Sequence, residues 1–247
     1  GDIIKKEFGE KNKIISAFII ALFGPIKYKE NEVARNLLEE CDISEKQFHL
    51  ICEELHEKEL IDMYMNEATK ISDQNIRDYL FYYVVIEKKY ITLEKVLDYA
   101  FLRYKDKVVY MINTILQLFN GEGILDYFKD EVNKSWSKIK DDREILKYAK
   151  TFYWFNEEKT LMYIKEKIDN MENEEFSLKD FNFEDKKNNN KIDLEIIEIL
   201  GAFKYCENFE DALYLSLELF NKKSNYVMDF YFLFSDKIGR ASCRERV

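Results

Sequence analysis

Apolar residues recur at helical spacing through most of this chain. Residues 12–23 (NKIISAFIIALF) are apolar nearly all round, which predicts a buried helix, and Gly24-Pro25 stops it. In residues 30–41, Val33, Ala34, Leu37 and Leu38 share one helix face. Asp42-Ile43-Ser44 reads as a turn in which Ser44 caps a helix over 44–59. There Phe48, Ile51, Cys52 and Leu55 follow the i, i+3, i+4, i+7 spacing. The period then changes. Residues 60–65 alternate, Asn66-Glu67 turns, and residues 68–71 return, so a short β-hairpin is predicted near 60–72.

Three helices followed by a hairpin is the order of a winged helix, with the hairpin as its wing. The predicted module spans 1–90. It ends in an apolar helix over 74–90 that Ser72 or Asp73 can cap. Further helices are predicted at 92–102, 105–119, 122–139, 143–155 and 157–170. Residues 171–191 are polar and aperiodic and read as a long loop. Helical spacing resumes at 192–206, 208–223 and 224–236. Helices of this length with short polar turns and no strict repeat predict an irregular α-solenoid over 91–237. The expected fold class is therefore all-α: a winged-helix module followed by helical repeats.

Composition narrows the choice of function. Seven Gly and one Pro in 247 residues favour long helices joined by short connections. A net charge of -10 argues against nucleic acid, whose binders need a cationic face. The helix at 44–59 sets Glu45, Glu53, Glu54, Glu57 and Glu59 against Lys46 and Lys58, so DNA phosphates would be repelled there. That helix reads as a protein-docking element. Cys41, Cys52, Cys206 and Cys243 form no CxxC pair, and the only histidines are His49 and His56, so no zinc site is expected. Scattered cysteines suit a reducing, cytoplasmic setting. The longest apolar run, 14–23, falls short of the roughly 18 residues of a membrane span. The chain begins Gly1-Asp2-Ile3 and reads as the interior of a longer protein. Residues 238–247 (IGRASCRERV) back-translate to a string that resembles a sequencing adapter, and are expected to be a non-native tail.

Catalytic motifs are missing from the sequence. None of the glycines fits a phosphate-binding P-loop, and there is no GxSxG, HExxH or calcium-loop pattern, so neither an enzyme nor a bound cofactor is expected in this segment. The pairs Glu53-Glu54 and Asp141-Asp142 read as solvated helix faces. His49 and His56, two turns apart, read as a sensor or as a surface pair. Residues 152–155, with Tyr148, form either a ligand platform or core. The stripe Tyr226, Phe230, Tyr231, Phe234 is either core or a face for a partner.

The stretch at 33–85 carries a resemblance. Leu55 with Leu60-Ile61, Lys70-Ile71-Ser72-Asp73-Gln74 and Tyr79-Leu80-Phe81-Tyr82 resemble the winged-helix segment of bacterial STAND-class P-loop NTPases, including those of antiviral defence. The likeness covers roughly residues 12–105; beyond that, only the helical character is shared. The resemblance implies a regulatory and sensor segment of a signalling ATPase. Its ATP- or ADP-binding core would precede Gly1, its helical arm would detect a protein trigger, and the parent would oligomerise on activation. It makes Ser72, Asp73 and Gln74 candidates for the interdomain switch, against simple helix capping. A histidine that reaches the nucleotide in related eukaryotic proteins has no clear counterpart here. The alternatives are a stand-alone TPR-like interaction scaffold and a winged-helix transcription regulator.

Overall fold

A computed structural model describes residues 2–27, 29–64, 68–119, 121–174 and 191–231. The predicted tail at 238–247, Phe234 and most of the polar stretch at 171–191 lie outside the described residues. The described chain is mostly helical, with one small antiparallel sheet. It divides into two compact units, Gly1–Lys138 and Ile139–Val247. The predicted 1–90 module falls inside the first. Among the described residues, no helix is long and apolar enough to cross a membrane.

In the first unit, α1 (Asp2–Phe8) leads into α2 (Lys11–Phe23), whose residues from Ile14 to Phe23 are all buried. A helix apolar all round needs cover on every side. Here α1, α3 (Glu32–Glu40), α4 (Glu45–Glu57), α5 (Gln74–Tyr82) and α7 (Leu102–Leu118) supply it. Gly24 ends α2 with φ +70°, a left-handed conformation that glycine adopts without strain, and its N–H donates to the Ile20 carbonyl. The chain then turns into β1 (Ile26–Lys27).

Asn31 caps α3 by accepting from the Ala34 N–H at 3.0 Å, and Ser44 caps α4 by accepting from Gln47 at 3.3 Å. Both helices end in Schellman turns built without glycine. Asp42 and Glu59 take φ near +57° and +59°. The N–H groups of Ile43 and Leu60 reach back to the Leu38 and Leu55 carbonyls. A chain poor in glycine thus ends helices on acidic residues, accepting about 1 kcal/mol of left-handed backbone strain at each.

Two more strands follow, β2 (Asp62–Tyr64) and β3 (Ala68–Lys70). They pair antiparallel with Met63 opposite Thr69, so the predicted hairpin is present. The prediction omitted β1, which pairs with the other edge of β3 through Ile26 opposite Thr69 and gives the order β1-β3-β2. Two residues are too few to show an alternating pattern.

Beyond β3, α5 runs on into a π turn at Tyr83–Glu87. Next come α6 (Leu93–Val96), a second π turn at Leu97–Phe101, and α7 without interruption. The helices predicted at 92–102 and 105–119 are thus one run, kinked at Tyr104 (φ −127°, ψ 40°). The Tyr104 ring packs edge-on against Phe23 with 4.9 Å between centroids. Helix α8 (Ile124–Lys138) closes the unit over α6.

The second unit holds α9 (Asp142–Phe152), α10 (Glu157–Asp169), α11 (Lys191–Ala202) and α12 (Phe209–Lys222). Asp141 caps α9 and Asn156 caps α10. Helices α10 and α11 both pack on α12, and α11 also packs on α9.

Candidate functional site

Ser72, Asp73 and Gln74 sit exposed where β3 hands over to α5. One carboxylate oxygen of Asp73 accepts from the N–H groups of Asn75 (2.8 Å) and Ile76 (3.1 Å), which makes Asp73 the N-cap of α5. Ser72 donates its hydroxyl to the Asp62 carboxylate on β2. Gln74 is the first residue of α5. Ser72 thus ties this junction to β2, and Asp73 caps α5. One turn on, Tyr110 of α7 donates its hydroxyl to the buried Asp78 carboxylate at 3.3 Å. Arg77 donates to that same hydroxyl at 2.5 Å and lies 5.0 Å over the Tyr110 ring. Polar bonds thus link β2 to the start of α5 and α5 to α7. The capping role anticipated for this segment belongs to Asp73.

Helix α4 presents Leu50, 51% exposed, among acidic neighbours. His49 Nε2 lies 3.4 Å from Glu53. The Nδ1–H of His56 donates to the Ile61 carbonyl at 3.0 Å, tying the end of α4 to the approach to β2. Glu54 pairs with Lys13 of α2, which holds its carboxyl below the usual carboxylate range. The histidines thus serve local contacts. Burial pushes the Cys52 thiol up to about 12, so it stays protonated and is a poor nucleophile.

A polar seam along α8 was not anticipated from sequence. Glu131, 3% exposed, accepts from the Glu94 N–H at the start of α6 (3.2 Å) and from Lys134 (2.7 Å). Lys138 lies between Asp98 (2.5 Å) and Glu94 (2.8 Å), which raise its pKa, and Ser135 donates to Asp98 at 2.6 Å. These bonds hold the π turn that contains Asp98. Burial and the nearby Glu131 push Tyr127 up to about 12. Only chain order puts Glu131 opposite an N-terminus 37 residues away, so no local signal could have revealed it.

In the second unit, Tyr226 is buried and donates its hydroxyl to Asp193 at 3.1 Å. Phe230 is buried edge-on against Phe220 at 5.7 Å. Both rings make contacts within the unit, as the core alternative for this stripe has it, while Tyr231 is 62% exposed. Tyr148, Phe152 and Phe155 are core, while Trp154 is partly exposed and stacks on Phe155 at 3.9 Å. Between α10 and α12 runs a groove of about 400 Å³ whose walls include Leu161, Met162, Tyr214 and Leu215. Among the described residues no group of three His, Cys, Asp or Glu is placed to hold a metal ion. No family model, curated protein or solved structure matches this chain.

Proposed function

We propose that the chain is the regulatory and sensor segment of a bacterial STAND-class NTPase of the signalling or antiviral type. In this reading residues 1–90 are a winged helix, and the helices beyond are an irregular solenoid arm that detects a protein trigger. The parent protein binds ATP or ADP in a domain encoded ahead of Gly1, oligomerises when triggered and works in the cytoplasm. The observation that carries the reading is the sheet. The succession α2-β1-α3-α4-β2-β3, with strand order β1-β3-β2, supports reading this part as a winged helix. The acidic face of α4, centred on Leu50, favours a protein surface over phosphates at the position that reads DNA in helix-turn-helix proteins. Ser72 and Asp73, bonded to both wing and α5, are the residues through which a change at the wing would travel.

The test uses the complete parent protein carrying Leu50→Asp with Glu53→Lys on α4, and follows release of a fluorescent ADP analogue. Loosened docking accelerates release; an unchanged rate in a folded variant overturns the docking role. The compactness of the second unit and its solvent-facing groove favour a second reading, a stand-alone TPR-like scaffold. Under it, residues 92–237 fold and bind a partner without residues 1–90. A transcription regulator would instead bind duplex DNA with steep salt dependence, and a flat titration at low salt eliminates it.

A further inference from the structure

We infer that the α10–α12 groove is a docking site for a cationic amphipathic helix of a partner protein. The inference rests on reading the helical arm as the target-binding part and specifies the chemistry of the target. Three observations lead to it.

The groove floor is apolar, yet its apolar edges are left in water. Met162 is 73% exposed on α10 and Tyr214 61% exposed on α12, and Leu217 beside the groove is open too. Leu215 and Leu219, by contrast, are buried, so α12 is fully served on its core side and carries a second apolar stripe. A depression between two packed helices matches the ridge of a third, and flexible, polarisable Met side chains adapt to such a ridge.

The rim fixes the sign of the occupant. Lys165 is the cation lining the groove, and it already lies 3.6 Å from Asp169 and 3.7 Å from Glu218. Lys222 is turned away to the end of α10, where it donates to the Ile168, Asp169 and Met171 carbonyls at 2.9–3.1 Å. Glu158 and Asp211 stand on opposite walls with no ion pair among the described residues. Their charges are open to a Lys or Arg flanking an apolar anchor.

Spacing fixes the form. Glu158, Leu161, Met162 and Lys165 repeat along one face of α10, and Asp211, Tyr214, Leu215 and Glu218 along one face of α12. A partner helix with apolar residues at i, i+3, i+4 and i+7 and basic residues beside them meets both rows.

The experiment is a fluorescence-anisotropy titration of the full chain with a labelled synthetic helix of about four turns. The helix bears Leu at those four positions and Lys elsewhere. A comparator carries Glu in place of Lys. The Lys peptide binds at least tenfold more tightly than the Glu peptide and weakens as salt rises. Met162→Ser with Tyr214→Ser, or Glu158→Lys with Asp211→Lys, each costs about tenfold in affinity with the circular dichroism unchanged. Asp106→Lys with Glu122→Lys, two exposed positions of the first unit, leaves binding intact. Equal binding of the two peptides, or an equal loss from this first-unit variant, overturns the proposal. So does self-association of the wild-type chain that Met162→Ser with Tyr214→Ser abolishes, since the face then belongs to a second copy. Peptide binding without nucleotide coupling in the parent retains the groove and removes the NTPase reading. The converse removes the groove alone.

Discussion

Replacing Asp73 with Ala isolates the cap at the wing–α5 joint. The substitution deletes one oxygen that accepts two backbone bonds, from Asn75 at 2.8 Å and Ile76 at 3.1 Å. Both amides lie at an exposed helix end, so water recovers part of the loss and the expected cost is about 1 kcal/mol. For a unit of this size that is a fall of about 4 °C in Tm. Asp73→Asn keeps the acceptor and gives up only the favourable charge at the helix N-terminus, a loss of a few tenths of a kcal/mol. Hydrogen exchange resolves the effect by residue: protection falls at Asn75 and Ile76 in the Ala variant and is nearly intact in the Asn variant. Equal damage from Ala and Asn would mean that charge, not capping, holds the joint. Unchanged exchange in the Ala variant would falsify the cap itself.

Phe18, fully buried on α2 and edge-on to Phe81 at 6.1 Å, anchors the first unit. Phe18→Ala should cost about 3–5 kcal/mol in denaturant unfolding; a loss under about 1 kcal/mol would deny α2 its central place. Asp193 has its pKa raised by burial, against the partial relief given by the Tyr226 hydroxyl and Lys223. Its folded form therefore holds the proton more tightly than the unfolded chain, and its contribution to stability is present at low pH and lost as pH rises through the folded pKa. Asp193→Asn should equal or exceed the wild type in stability at pH 7, with the difference shrinking on acidification; a variant penalised most at neutral pH contradicts this sign. In alkylation mapped by mass spectrometry, Cys52 should react only after unfolding, later than the less buried Cys41 and Cys206. Early labelling of Cys52 would show that α4 is not packed as described.

Much of the helical plan was legible in the sequence because it rests on local signals. Gly24-Pro25 stops α2, Ser44 caps α4, and the switch from a period of 3.6 to 2 at residue 60 marks the hairpin. Two elements stayed hidden for physical reasons. Helix α1 shows too few turns to display a face, and β1 exists only because β3 offers it a free edge. The aromatic stripe at the end of the chain shows the opposite limit. Tyr226 and Tyr231 look alike in sequence, yet one is buried and bonded to Asp193, 33 residues away, and the other is exposed. The α10–α12 groove was not read from the sequence, because it depends on which faces of two helices about 50 residues apart are left uncovered.

The reading of this chain as part of a nucleotide-driven switch is tested most directly by sequencing the open reading frame upstream of Gly1. The account predicts an in-frame domain ahead of Gly1 that carries GxxxxGK followed by Ser or Thr, the loop whose backbone amides and lysine cradle phosphate. A start codon close to Gly1, or a preceding domain without that loop, would contradict it.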